Sequence, residues 1–132
     1  MKNIDKYLDN AFSIYTRLEH TDEYGIGYCY TCNKRITYKS AECGHYVRRK
    51  EMATRWNVNN GKIQCNHCNC ALHGNLIEYR ERLINENGID FLLDLENQGR
   101  ANYKMSLEEK KGILLELRNH IRQLLKNKMF GI

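Results

Sequence analysis

The chain has 132 residues and a net charge of +5, from 21 Lys and Arg against 16 Asp and Glu. That length suits one domain with a modest core, and the charge suits a polyanionic partner without being that of a basic tail. No apolar run approaches the ~20 residues of a membrane span, and proline is absent, so membrane-spanning, collagen-like and Pro-rich classes are excluded. The opening MKNIDKYLDN carries acids and no apolar stretch, so no secretory signal is expected and a cytoplasmic location is.

In chain order, residues 3 to 19 read as an amphipathic helix with Ile4, Leu8, Phe12, Tyr15 and Leu18 on one face. Gly25 and Gly27 punctuate its end. The runs RITYK and CGHYV are rich in β-branched and aromatic residues and read as short strands. Asn59-Asn60-Gly61 signals a turn before Lys62-Ile63-Gln64. A helix then carries Leu76, Tyr79 and Leu83 on one face, and Asn75 with Glu78 predicts a capping box at its start. Gly88 separates it from a short apolar helix, Ile89 to Leu95. Ser106 with Glu109 predicts a second capping box, opening a helix to about Lys128. Its Leu107, Leu114, Leu117, Ile121 and Leu124 follow heptad-like spacing, which serves either packing on the N-terminal helix or the seam of a homodimer.

Six cysteines in a chain with no export signal point away from disulfides. Cys29 and Cys32 form one C-x-x-C, Cys65 and Cys68 another, and two such pairs are the signature of a tetrahedral structural zinc site. Cys43 and Cys70 are left over and are expected to be small buried residues. Charge is uneven. From Lys34 to Lys62 eight bases face only Glu42 and Glu51, so this segment holds the whole positive excess. With Tyr38, Tyr46 and Trp56 interleaved, Lys39, Arg48, Arg49, Lys50, Arg55 and Lys62 are expected to meet DNA phosphates.

Within the cysteine-bracketed segment the order is A-E-C-G-H-Y, then Asn60, then Cys65-Asn66-His67-Cys68-Asn69. This order resembles that of the zinc-stapled HNH, or ββα-metal, nucleases. In such a site a His takes a proton from water so that hydroxide can attack phosphorus, and one divalent ion neutralises charge on the leaving oxygen. The resemblance implies His45 as the general base and Asn60 as the central Asn that ties the loop back. It implies Asn69 as a ligand of the catalytic Mg2+ or Mn2+, with His73 a further candidate if its helix is continuous. The acid usual immediately before the base is replaced here by Gly44, which leaves Glu42 as the candidate first-strand ligand. His67 is expected to face solvent or phosphate, and His20 and His120 have no assigned role.

The run C-x-x-C, A-x-C-G-H-Y, N-G-K-I-Q-C-x-x-C-N and G-N-L-I-E-Y-R-E-R-L-I is similar, over nearly the full length, to the NinG/Rap recombination proteins of lambdoid phages. That resemblance implies a phage protein in the bacterial host cytoplasm. The implied activity is a structure-specific, metal-dependent DNA endonuclease that cuts branched recombination intermediates such as Holliday junctions and D-loops. The expected fold class is α+β, a small zinc-stapled ββα module at 25–87 flanked by an N-terminal helix at 1–24 and C-terminal helices at 88–132, in one domain. The rival is a non-catalytic zinc-knuckle protein that binds DNA or regulates. A weaker alternative is a dimerising helical adaptor with zinc for stability alone.

Overall fold

The computed structural model describes residues 3–132. The N-terminal periodicity forms α1, Ile4–Glu19, which buries Ile4, Leu8, Ala11, Phe12, Thr16 and Leu18. Two antiparallel hairpins follow. Strands β1 (Ile26–Tyr28) and β2 (Arg35–Thr37) pair with Tyr28 opposite Arg35. Strands β3 (Glu42–His45) and β4 (Gly61–Gln64) pair with Glu42 opposite Gln64 and His45 opposite Gly61. The RITYK run therefore partners the stretch before the first cysteine pair, and the CGHYV run partners the stretch before the second.

The connection from β3 to β4 carries a short helix, α2 (Met52–Arg55), and a single 3-10 turn at Val58–Asn60. After β4 one π-helical turn, His67–Ala71, precedes α3 (Leu76–Asn87), α4 (Ile89–Arg100) and α5 (Leu107–Leu125). Between the π turn and α3, His73, Gly74 and Asn75 all have positive φ, of 52°, 97° and 48°. Three left-handed residues in a row break the helix completely. Asn75 does stand at the N-cap of α3, but with that backbone it makes no side-chain cap, so the expected box with Glu78 is not formed. At α5 the Ser106 half of the box is formed: the Glu109 amide donates to Ser106 Oγ at 3.1 Å.

The core has three parts. Ile4, Leu8, Ala11 and Phe12 of α1 pack with Leu114, Leu117 and Trp56. Cys29, Ile36, Ala41, Ile63, Cys65 and Cys68 fill the space between the hairpins. Tyr30 and Tyr46 join Tyr79 and Leu83 of α3 with Leu92 and Leu95 of α4. Partly buried Ile113 and Ile121 also lie against the α1 cluster. The centre of the heptad-like face of α5, Leu114 and Leu117, is thus packed on α1 within one chain, while Leu107 at its start stays exposed. Past the end of α5, Lys128 Nζ donates to the carbonyls of Leu18 (2.8 Å) and Thr21 (2.7 Å), a cation on the C-terminal end of α1.

Leu117 is almost wholly enclosed by α1, while Leu115 beside it is exposed. Leu117→Ala should cost about 3 kcal/mol in chemical denaturation, the usual loss for a buried leucine. Leu115→Glu should leave stability nearly unchanged.

Candidate functional site

A four-cysteine cluster joins the two hairpins, and β3 presents a site on each of its faces. Tight turns present both pairs: Asn33 has a φ of 64°, and the Cys29 amide donates to the Lys34 carbonyl at 2.8 Å. Tyr30 N–H donates to Ile63 O at 2.9 Å and ties the first knuckle to β4. The thiols of Cys29, Cys32, Cys65 and Cys68 converge within 4.8 Å of one another, and Cys32 Sγ lies 3.7 Å from Cys65 Sγ. Zinc–sulfur bonds of about 2.3 Å give tetrahedral edges near ~3.8 Å. Four soft thiols at that spacing fit Zn2+.

The surroundings favour the thiolate at Cys29, while burial pushes the Cys32 and Cys68 thiols up. Gln64 donates to Thr31 Oγ1 at 3.0 Å, which leaves the Thr31 hydroxyl hydrogen for Cys29 Sγ at 3.5 Å. Burial raises the Cys29 thiol, but Thr31 and the nearby amides outweigh it and bring it down to about 6. Asn75 Nδ2 donates to Cys68 Sγ at 3.6 Å, so the side chain that fails to cap α3 serves the cluster instead.

Gln64 also explains Gly44. Its fully buried side chain passes so close that any Cβ at Gly44 would collide with it. An acid cannot stand there, and the carboxylate nearest along β3 on the same face is Glu42, two residues earlier. Asn69 and Asn66 each donate to the Glu42 carboxylate at 2.9 Å, and Cys70 Sγ lies 3.4 Å from it. These bonds, Asn69 first, hold Glu42 below the usual carboxylate range. A carboxylate and an amide oxygen from a strand and a helical turn are hard-ion ligands of the kind Mg2+ takes beside phosphate. His73 does not join them. It lies exposed in the left-handed break, and no three-ligand group forms around Glu42 among the described residues. Cys70 is exposed rather than buried, while Cys43 is the half-buried thiol, pushed up to about 11 by its burial against α1.

The second site is His45. Three residues from Glu42 on a strand, it faces the opposite side and packs on the Phe12 ring of α1, centroids 5.3 Å apart. A small cleft there is lined by Asp9, Ser13, Cys43, His45 and Arg49. His45 Nε2 lies 2.8 Å from the Arg55 carbonyl. A carbonyl only accepts, so Nε2 carries the hydrogen and Nδ1 keeps its lone pair. Burial holds the imidazole below its ordinary 6.5, so it is neutral at physiological pH.

What holds that carbonyl is visible. Arg55 makes two bonds to Asp9, at 2.9 and 2.7 Å, and Trp56 Nε1 adds a third at 2.8 Å. Asn60, fully buried, accepts from Val47 N–H at 2.7 Å and donates to the carbonyls of Val47 (3.0 Å) and Thr54 (3.1 Å). It holds closed the loop that carries the Arg55 carbonyl.

The basic residues divide. Lys39, Arg48, Arg49 and Lys50 are exposed. Arg55 is spent on Asp9, and Lys62 is half-buried, its ammonium lying 5.2 Å from the centre of the Tyr30 ring. Tyr38, Tyr46 and Trp56 are buried, so the interleaved aromatics are core and not a stacking surface. His67 is exposed as expected; His20 bonds Thr16 O at 2.8 Å and His120 stacks on Tyr15. Asp9 and Gln64 were not legible as site residues. The only hint of Asp9 is an acid beside the apolar stripe of α1, and nothing in the sequence marks Gln64.

The chain matches the family model described as Bacteriophage Lambda NinG protein over residues 1–127. It belongs to that family. No curated protein and no solved structure matches it.

Two outcomes follow from this geometry. Purified protein should carry one zinc per chain, and Cys65→Ser or strong chelation should unfold the hairpins, because structural zinc contributes on the order of 10 kcal/mol; metal analysis with circular dichroism reads both. Stability should also fall as pH drops below about 6.5, since the unfolded chain protonates histidines that the fold keeps neutral. His20 and His45 both have depressed values through burial, so their stabilisation is present above the unfolded pKa and is lost toward the folded one. His45→Gln should flatten that slope in denaturation midpoints compared between about pH 7.5 and about pH 5.5.

Proposed function

We propose that this NinG-family chain is a metal-dependent DNA endonuclease that hydrolyses phosphodiester bonds in branched recombination intermediates such as Holliday junctions and D-loops. The observation that carries the reading is His45: neutral, fixed by its Nε2–H bond to Arg55 O, and lining a cleft with Arg49. A general base for water needs a free lone pair, and Nδ1 of the neutral ring keeps one. Arg49, exposed at that cleft, supplies positive charge toward a phosphate. Asp9, already engaged by Arg55, Arg49 and Trp56, acts as an anchor and not as a metal ligand. Glu42 and Asn69, across β3 from His45, would hold Mg2+ or Mn2+ and supply positive charge to a DNA phosphate on that face. Lys39, Arg48 and Lys50 extend the contact along the backbone.

A second reading, a zinc-knuckle protein that binds DNA without cutting it, draws on one observation: the Glu42–Asn69 pair and His45 lie on opposite faces of β3.

A labelled four-way junction with added Mg2+ or Mn2+ separates the two. The endonuclease nicks it, and His45→Ala abolishes nicking while junction affinity stays within about twofold. Arg49→Ala weakens binding and shallows its salt dependence by roughly one phosphate's worth. Binding without nicking by the wild-type chain in either metal establishes the second reading. Nicking by His45→Ala at the wild-type rate removes His45 from the chemistry.

A further inference from the structure

The segment from Tyr46 to Glu51 has a cleft on each side. Opposite the His45 cleft, between this segment and helices α3 and α4, lies a cavity of about 570 Å3, within the range of ligand sites. Its walls are of two kinds. Val47 and Leu76 give apolar surface, and Arg48, Arg80 and Arg100 stand around them. Two acids also line it. Glu96 is engaged by the Tyr46 hydroxyl and by Arg80 at 3.4 Å, which leaves Glu51 as the other carboxylate. Arg48 has no ion-pair partner among the described residues. Gly99 lets α4 close the back, since a Cβ there would strike Val47.

At the edge, the first turn of α3 holds two aliphatic residues in water. Ile77 is 77% exposed and Leu76 41%. An isoleucine so exposed forgoes the burial free energy its side chain offers, and beside an apolar cavity it makes one continuous patch. Three arginines around that patch choose its complement. Nucleobase rings lie on apolar and guanidinium surfaces while their phosphates meet the guanidinium groups. Aliphatic side chains enter DNA between base steps that unstack cheaply, and a branch point supplies such steps.

We propose that this cavity takes a nucleobase unstacked at a DNA branch point, with Ile77 filling the vacated step and Arg48, Arg80 and Arg100 holding the flanking phosphates. The proposal rests on DNA as the substrate and gives that reading its means of telling branched from linear DNA. Consecutive residues Arg48 and Arg49 then face the two clefts, so one strand crossing the segment meets both.

The test is a four-way junction with 2-aminopurine at the branch, bound by the full chain with no divalent ion added. Wild-type protein should raise the fluorescence as the base leaves the stack, and the same probe inside a linear duplex should change little. Ile77→Ser should remove the rise and cut the preference for junction over duplex roughly tenfold. Ile77→Phe should keep both, and Arg100→Gln should weaken junction binding. Ile77 is exposed, so thermal midpoints of its variants should match wild type and remove misfolding as an explanation. Retention of the signal and the preference by Ile77→Ser overturns the proposal, and nicking by that variant would leave the endonuclease standing. A wild-type chain that brightens the junction but never nicks it, with Mg2+ or Mn2+, overturns the endonuclease and supports the cavity. A chain that binds neither DNA overturns both.

Discussion

The four-thiol cluster is the constraint on which the rest of the structure depends. Strands of three and four residues in separate two-stranded sheets are too short to be stable alone. Their apolar content is small too: between the hairpins the buried residues are half cysteine. Convergence of Cys29, Cys32, Cys65 and Cys68 joins the β1–β2 turn to the end of β4 across 33 residues of chain. A metal held there would replace the core that so few residues cannot build. Once β4 is held, its partner β3 is held, and both faces of β3 become available as sites.

One face is filled from the side of the cysteine cluster. Gln64 links the cluster to the break before α3 by donating to Thr31 and to the Gly74 carbonyl at 2.8 Å, and its bulk dictates glycine at position 44. The Glu42–Asn66–Asn69 group then forms at the open end of the same face. The other face is governed by α1. Asp9 anchors Arg55, the Arg55 carbonyl selects one tautomer of His45, and Phe12 limits the ring's freedom. A helix distant in sequence therefore sets the chemistry of the histidine, and Asn60 keeps the intervening loop in the one shape that allows it.

The helical back serves the same end by closing the molecule. Helix α5 spends its apolar stripe on α1, and Lys128 satisfies the carbonyls at the end of α1. With α1 clamped on two sides, Asp9 is a fixed point. Helices α3 and α4 pack on Tyr30 and Tyr46 and leave between themselves and the 46–51 segment the arginine-ringed cavity. Every exposed base of the central segment thus hangs from a scaffold whose own charges, Arg55 and Asp9 among them, are already paired.

Much of this was open to the sequence alone. Cysteine spacing determined the metal site, because tetrahedral sulfur ligation demands two close pairs. Apolar period determined α1, α3 and α5, and Ser106 with Glu109 determined where α5 begins. His45 and Asn60 stood out because the Gly-His-Tyr step and the Asn-Gly turn between cysteine pairs resemble the order of zinc-stapled HNH nucleases. What only the tertiary structure decided is who occupies each face. Strand alternation put Glu42 and His45 on opposite sides of β3. Three left-handed residues took His73 away from Glu42, α1 claimed Leu114 and Leu117 of α5, and Asp9 claimed Arg55. The physical reason is common to all of these. A sequence pattern states which side chains share a face of their own element, but which partner reaches that face first is settled by packing between elements far apart along the chain.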